Sequence, residues 1–276
     1  MPALFKACVT TQTPDLAEAF FDEAGAVAQA IGLPQDGATL FEAYFTESPA
    51  LGVLPFAHQD FELEHVPDKD WVTRCQQNLP PVPVPPFFLF GHHDRPCTRR
   101  ARHHIEMDAG LAFGSGHHAT TQGCLHLLAH VLKARRPMHT ADIGTGSGTL
   151  AIALAKAGCK NIFACDNDPN AVRVAQQNFK INTLPPHIRP IWCDGLAHPG
   201  ARKARPFDLI MANIFAAPLI TMAPAMAAHL APTRRLILSG LLQSQKRRVV
   251  ARYRHAGLIV QKDIRIGPWT SLMFRR

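Results

Sequence analysis

The sequence has 276 residues, of which 47% are hydrophobic, and a formal net charge of +8, so it can bury one full α/β core and still form a smaller second module. Its first residues do not read as a secretory leader, and no later stretch approaches the ~18 uncharged apolar residues that span a membrane. Its seven cysteines are scattered and never spaced as Cys-x-x-Cys, which indicates a cytoplasmic protein without disulfides or structural zinc.

The first part of the chain predicts a small open α+β domain. Residues 5–9 are a short strand candidate, and Thr13-Pro14-Asp15 begins a helix whose apolar residues recur at helical spacing. Residues 39–45 predict a second strand. Residues 61–66 alternate apolar and acidic side chains, as a half-buried strand does.

The next segment is rich in proline. Residues 79–86 read LPPVPVPP, with five prolines in eight residues, which disfavours a helix or a central strand and favours a semi-rigid spacer. A short strand-like piece and a polar run complete the connection. We therefore predict a domain over residues 1–78, a linker over residues 79–104 and a second domain over residues 105–276.

Beyond the linker, strand-like and helix-like segments alternate. They cover residues 140–143, 150–157, 161–166, 169–182, 188–193, 207–212, 219–230, 235–239 and 242–255. This alternation predicts a doubly wound parallel sheet with helices on both faces. Residues 258–265 and 269–274 then predict two strands, and the tight Gly267-Pro268 link between them can only join antiparallel neighbours.

Charge is distributed unevenly between the two predicted domains. Residues 1–80 contain three basic and twelve acidic side chains, a net charge of −9. Residues 81–276 contain 26 basic and nine acidic side chains, a net charge of +17. An acidic module favours a basic partner, and a basic module can lie near nucleic acid or an acidic protein. The alternative is that the charges serve only to keep the protein soluble.

A glycine-rich turn lies between the first strand and the first helix of the alternating region. In ADIGTGSGTLAIA, Gly144, Gly146 and Gly148 let the backbone approach a nucleotide-like ligand with no side chain in between. The spacing is Gly-x-Gly-x-Gly, and Asp142 lies two residues before the first glycine. Both features favour S-adenosylmethionine over a dinucleotide, because this cofactor has no pyrophosphate but has a sulfonium charge and an amino group that a carboxylate can meet.

Acidic residues follow the next two strands. Asp166 lies 22 residues beyond Gly144, where an acid accepts hydrogen bonds from the two ribose hydroxyls in this architecture. The alternative role for Asp166, capping the next helix, is better filled by Asp168, which precedes Pro169. Asp194 is a candidate acceptor for the adenine amine, with an exposed loop acid as the open alternative.

The segment before the glycine turn has a specific pattern. Residues 107–121 read MDAGLAFGSGHHATT and resemble the pattern Asp-Pro-Gly-x-Ala-Phe-Gly-Thr-Gly-x-His-Pro-Thr-Thr of the ribosomal protein L11 methyltransferase family. The resemblance continues through DIGTGSGTLAIA, DNDPNAV, ANIFAAPL, LSGLL and the final GPWTSLMFRR. It reaches residues 15–27 and 68–71 more weakly, where that family has its substrate-recognition domain.

This resemblance implies a fold, a reaction and a set of cofactor contacts. The fold is α/β, with a Rossmann-like class I methyltransferase sheet that is parallel and closes with an antiparallel hairpin, preceded by a small N-terminal α+β ferredoxin-like domain. The reaction is methyl transfer from S-adenosylmethionine to lysine side chains and the N-terminus of ribosomal protein L11. The expected cofactor-binding residues are Thr121, Asp142, Gly144, Gly146, Gly148, Asp166 and Asn213.

Asn213 ends the fourth strand of the alternating region and is also a candidate catalytic residue. We expect its carbonyl oxygen to orient the nucleophilic nitrogen, with Phe113 and His118 closing the pocket as further catalytic candidates. Its alternative role is to cap the following helix. The histidine pairs of the chain lack a carboxylate or cysteine at ligand spacing, so no metal site is predicted.

A nucleic-acid methyltransferase is the main rival interpretation, because the second domain is strongly basic. Such enzymes usually continue Asn-Pro-Pro-aromatic to stack a flipped base, whereas here Ile214 and Phe215 follow Asn213. The acidic first domain would also repel phosphate. We therefore expect a basic protein substrate, a monomer and no stable nucleic-acid binding.

Two alternatives to this interpretation stay open. One is an RNA or other protein methyltransferase on the same fold. The other is a non-enzymatic interaction module, which would leave the glycine turn unexplained.

Overall fold

The computed structural model describes two compact units. The described residues are 4–13, 16–17, 20–21, 24–26, 28–31, 38–45, 47–50, 52–54, 56, 58–66, 81–91, 101–107 and 119–276. One unit extends to Asn78 and the other begins at Leu79. The role of residues 1–78 in substrate recognition stays a prediction.

The first unit contains a four-stranded antiparallel sheet. Its strands are β1 (Leu4–Thr11), β2 (Ala28–Ile31), β3 (Thr39–Phe45) and β4 (His58–Val66), in the order β2-β3-β1-β4. Alternate residues of β1 and β3 face one apolar side, where Phe41 stacks on the helical residue Phe21 with ring centroids 5.7 Å apart. This side of the sheet is the core of the unit.

The strand predictions for this unit are confirmed, and one strand was missed. Residues 5–9 and 61–66 lie within β1 and β4, and β3 has the predicted bounds. β2 was not predicted because its four residues, AQAI, give little periodic signal. The strand order and pairing fit a ferredoxin-like sheet, but none of the described residues between β3 and β4 is helical, so the ferredoxin-like assignment stays a prediction.

Part of the predicted linker forms a sheet within the second unit. In it, β6 (Phe87–Gly91) pairs antiparallel with β5 (Val82–Val84) and parallel with β7 (His103–Met107). Val84 and Leu89 are fully buried in the same apolar cluster as the helices that follow. The prolines are compatible with this sheet because β5 is an edge strand, where a missing N–H donor costs little. The proline-rich segment is therefore more than a spacer.

A seven-stranded sheet forms the centre of the second unit. Its strands are β8 (His139–Ile143), β9 (Asn161–Asp166), β10 (Pro190–Trp192), β11 (Phe207–Asn213), β12 (Leu230–Leu242), β13 (Ile259–Ile266) and β14 (Trp269–Arg275). The order is β10-β9-β8-β11-β12-β14-β13, in which the first five strands are parallel and β14 is antiparallel to both neighbours. The predicted Rossmann-like sheet that closes with an antiparallel hairpin is confirmed.

Helices cover both faces of this sheet. They are α1 (Ala119–Ala134), α2 (Thr149–Lys156), α3 (Pro169–Ile181), α4 (Pro199–Ala204), α5 (Ala216–His229) and α6 (Lys246–His255). The first three contribute to one apolar cluster and the last three to another. α1 was not predicted, because threonine, glycine, cysteine and histidine interrupt its apolar pattern. None of the helices in the described chain is long and apolar enough to cross a membrane.

Candidate functional site

The carboxyl ends of the parallel strands lie side by side at one edge of the central sheet. The strand order reverses between β8 and β11, and ligands of open α/β sheets bind outside the carboxyl ends at such a switch point. Asp166 ends β9, Asn213 ends β11, and the glycine turn follows β8. The topology thus brings together three segments that the sequence singled out.

The glycine turn has a backbone shape that glycine adopts without strain. Gly144, Gly146 and Gly148 have φ values of 71°, 54° and 87°. A Cβ at Gly144 would collide with the Ile214 side chain, and one at Gly148 would lie 2.6 Å from Phe179 Cε1. Close packing therefore requires glycine at both of these positions.

Hydrogen bonds fix the glycine turn from two sides. The Gly144 and Thr145 N–H groups both donate to the Cys165 carbonyl at 2.9 Å, which ties the turn to β9. From α3, Asn178 Nδ2 donates to the Ser147 carbonyl at 2.8 Å. The turn is thus held in place by the protein itself.

Asp166 presents its carboxylate to the glycine turn. Its Oδ2 accepts the Gly146 N–H at 2.8 Å, and its Oδ1 accepts the Asp168 N–H at 3.0 Å. Asp168 caps α3, because its own Oδ1 accepts the Asn170 N–H at 2.8 Å. The helix-cap role therefore belongs to Asp168, and each Asp166 oxygen retains a lone pair for a further donor.

Asp142 is fully buried near the end of β8. Its Oδ2 accepts from Thr145 Oγ1 at 2.7 Å and from the Ala151 N–H in the first turn of α2 at 3.0 Å. Burial raises the pKa of Asp142 to about 7, although these two hydrogen bonds oppose the rise. Its Oδ1 is buried and has no hydrogen-bond partner in the described chain. Asp142 therefore anchors the glycine turn with one oxygen and leaves the other open.

Asn213 is only 8% exposed at the end of β11. Its Nδ2 donates to Thr121 Oγ1 of α1 at 3.2 Å, which brings together two residues that the sequence assigned to one site. Its Oδ1 is buried without a hydrogen-bond partner among the residues that the structure describes. Asn213 does not cap the following helix, because α5 begins at Ala216 without a side-chain cap hydrogen bond. The amide oxygen is therefore available to an N–H donor.

Two contacts in this site were not predicted from the sequence. Gly240, within LSGLL, has a φ of 81°, and a Cβ there would collide with the Ile214 carbonyl. Ser239 Oγ donates to the Thr120 carbonyl at 3.1 Å. The segment LSGLL, which contains both residues, was part of the family resemblance. No periodicity or spacing in the sequence indicates that it contacts the start of α1.

The roles of three further candidate residues stay predictions. Phe113 and His118 lie outside the described residues, so their catalytic roles stay predictions. Asp194 is exposed before a short turn at Gly195–Ala197 and makes no cap hydrogen bond, and its adenine contact also stays a prediction. Within the described ranges, no three His, Cys, Asp or Glu side chains cluster in a way that could hold a metal ion.

Comparisons with known proteins point to one family. A family model described as "Ribosomal protein L11 methyltransferase (PrmA)" matches residues 19–276. A Bradyrhizobium diazoefficiens protein named ribosomal protein L11 methyltransferase is 49% identical over 208 residues, which are 75% of this chain and 70% of that protein. A Brucella suis protein of the same name is 45% identical over 212 residues, 77% of this chain and 74% of its own length.

A solved structure agrees with these sequence matches. The crystal structure of a ribosomal protein L11 methylase from Lactobacillus delbrueckii subsp. bulgaricus superposes with a TM-score of 0.64. It is 28% identical to this chain and covers 71% of this chain and 98% of the other. The similarity thus extends over nearly the whole of the other protein.

Asp166→Ala is expected to weaken S-adenosylmethionine binding about ten-fold or more, because charge-assisted hydrogen bonds contribute about 1.5–3 kcal/mol each. Isothermal titration calorimetry on the folded variant measures this affinity. Asp168→Ala is the matched control, since it removes a nearby acid that caps α3. The control should lose about 1 kcal/mol of stability and keep its affinity. Equal affinities of the wild type and Asp166→Ala would contradict the ribose assignment.

Asp142→Asn is expected to remove a pH dependence of stability. The pKa of Asp142 is about 7 in the folded chain against an ordinary 3.8, so between these values the folded state keeps a proton that the unfolded state releases. The wild type therefore loses stability as pH rises from about 4 to about 7, and the uncharged variant does not. Denaturant unfolding of both proteins without cofactor, at about pH 5 and pH 7.5, measures the difference. If the free energies of unfolding of the wild type and the variant differed by the same amount at both pH values, Asp142 would not be a buried carboxyl group that holds a proton.

Proposed function

This chain belongs to the ribosomal protein L11 methyltransferase family, and we propose that it methylates amine nitrogens of ribosomal protein L11, on lysine side chains and at the N-terminus. It is an S-adenosylmethionine-dependent methyltransferase. The observation that carries the proposed acceptor is the buried Oδ1 of Asn213, which has no partner within the described chain and lies at the sheet edge that holds the glycine turn.

The described residues fit the cofactor. The Asp166 carboxylate lies on the glycine turn and keeps lone pairs for two hydroxyl donors. Asp142 Oδ1 is an open acceptor that a positively charged group would satisfy. These features support the proposal that Asp166 holds the ribose and that Asp142 faces the amino end. When bound, S-adenosylmethionine supplies a methyl group on positively charged sulfur.

The proposed chemistry requires positioning and removal of water more than acid or base catalysis. With the cofactor bound, a neutral amine would take the methyl group in line as a neutral sulfide departs, and the ammonium product would release its proton to solvent, so no covalent enzyme intermediate would be needed. A lysine amine with an ordinary pKa of about 10.4 must first lose its proton, which burial beside a positive charge favours. Asn213 Oδ1 would accept an N–H of the neutral amine and so aim the nitrogen lone pair.

The first unit supports a basic protein as the substrate. On the side of the sheet opposite its core, Lys6 Nζ contacts Glu42 Oε1 at 2.7 Å and Glu64 Oε1 at 3.3 Å, and Glu62 pairs with Cys8 on the same face. Three carboxylates against one ammonium leave this face negative, which favours encounter with a basic protein. We further propose that the chain acts as a monomer in the cytoplasm and forms no stable complex with nucleic acid.

Transfer of a tritiated methyl group onto separated ribosomal fractions tests the proposed function. The intact chain is expected to label the protein fraction, with ribosomal protein L11 as the labelled species, because the proposed site accepts an amine and the first unit is acidic. Purified ribosomal RNA is the matched acceptor control and should stay unlabelled. Label in RNA, or in proteins other than ribosomal protein L11, would contradict the proposed substrate.

Removal of residues 1–78 is expected to separate cofactor binding from substrate recognition. The remaining chain keeps the glycine turn, Asp166 and the central sheet, so its S-adenosylmethionine affinity should be unchanged. Its labelling of ribosomal protein L11 should fall by about ten-fold or more, and capture by the intact chain should weaken as salt shortens the ~8–10 Å screening length. Efficient labelling by the shortened chain would show that recognition lies in the second unit.

A further inference from the structure

A buried series of hydroxyl groups connects two strands of the central sheet with α1. Ser271 Oγ on β14 lies 2.6 Å from Ser239 Oγ on β12, and Ser239 Oγ donates to the Thr120 carbonyl at 3.1 Å. Each hydroxyl has one proton and that of Ser239 goes to the carbonyl, so Ser271 is the donor within the serine pair. All three residues are at most 2% exposed. Hydrogen-bond donation therefore runs from Ser271 to Ser239 and from Ser239 to the Thr120 carbonyl.

The series ends beside Asn213. Thr121, which follows Thr120, accepts the Asn213 Nδ2–H at 3.2 Å. Ser239 is also the register partner of Asn213 across the β11–β12 pair. Strand pairing and two side-chain hydrogen bonds thus connect Asn213, Ser239, Thr120 and Thr121 in a closed ring.

The first turn of α1 has little freedom within this ring. A Cβ at Gly123 would collide with Ser271 Oγ, so the helix rests directly on the serine pair. A shift of α1 would therefore break contacts with Ser239 and Ser271 before it moved Thr121.

We infer that Ser239, supported by Ser271, is a positioning residue for methyl transfer. By holding Thr120 it keeps Thr121 Oγ1 in place as the acceptor for the Asn213 N–H, and so keeps Asn213 Oδ1 free to face the amine. This inference rests on the proposed role of Asn213. It also gives a role to LSGLL and GPWTSLMFRR, the two sequence segments that contain these serines.

Steady-state kinetics of full-length variants on ribosomal protein L11 test the inference. Ser239→Ala should lower kcat about ten-fold, because small misplacements of a reacting group carry large kinetic losses. The dissociation constant of S-adenosylmethionine should change less than kcat does, because β9 and α3 hold the glycine turn and Asp166 is not part of the series. Ser271→Ala should have a smaller effect in the same direction. Thr140→Ala is the control: it removes a buried hydroxyl that donates to the Asn161 carbonyl at 3.4 Å at the other end of β8, and kcat should not change.

A double-mutant cycle separates positioning from general destabilisation. Asn213→Ala alone should lower kcat about ten-fold or more, and adding Ser239→Ala should then lower it no further, because Ser239 acts through the missing amide. Losses that multiply in the double variant, or an unchanged kcat in Ser239→Ala, would overturn the inference and leave the role of Asn213 standing. An unchanged kcat in Asn213→Ala would overturn both. Loss of the folded state in both serine variants, measured by thermal unfolding, would make the series a requirement of folding and overturn the positioning role.

Discussion

The close approach of three chain segments at Ile214 is the contact on which the rest of the site depends. A Cβ at Gly144 would strike the Ile214 side chain, and a Cβ at Gly240 would strike the Ile214 carbonyl, so the turn after β8 and the residues near the end of β12 both pack on the residue that follows Asn213. The backbone can approach Ile214 this closely only because both of these residues are glycines. Because Ile214 is held between them, Asn213 is fixed beside the glycine turn and within reach of α1. The tight packing therefore fixes the position of the Asn213 amide, which we propose orients the acceptor amine.

Hydrogen bonding divides the polar groups of the site into satisfied and open ones. In the described chain, Asp142 Oδ1 and Asn213 Oδ1 are buried without partners, whereas both Asp166 oxygens accept backbone N–H groups. An unpaired buried polar atom costs about 1–3 kcal/mol, which supports our proposal that ligands supply the missing donors at these two atoms. The chemical difference between them suits their proposed partners. The Asp142 carboxylate favours a positively charged group. The Asn213 amide oxygen is neutral, so it favours the ammonium form of an amine less strongly than a carboxylate would, and only the neutral amine can attack.

The parts of the fold that the sequence predicted are those decided by near neighbours in the chain. β9 has its predicted bounds, and Asp168 caps α3 as the adjacent proline indicated. By contrast, the hydrogen bond from Ser239 to Thr120 joins residues that are 119 positions apart, and a serine hydroxyl gives no periodic signal of such a partner. α1 was missed for a related reason, because its buried threonines and glycine contact strands that are distant in the chain. Family resemblance pointed to these segments without indicating what their side chains contact.

We propose that the methyl group is transferred to a neutral amine held next to Asn213. Fragmentation mass spectrometry of ribosomal protein L11, after incubation with the chain and S-adenosylmethionine, locates each added methyl group and so tests this proposal. We expect methyl groups on lysine side-chain nitrogens or on the N-terminal amine. Methyl groups on carboxylate, hydroxyl or imidazole side chains, or a ribosomal protein L11 that stays unmodified, would contradict it.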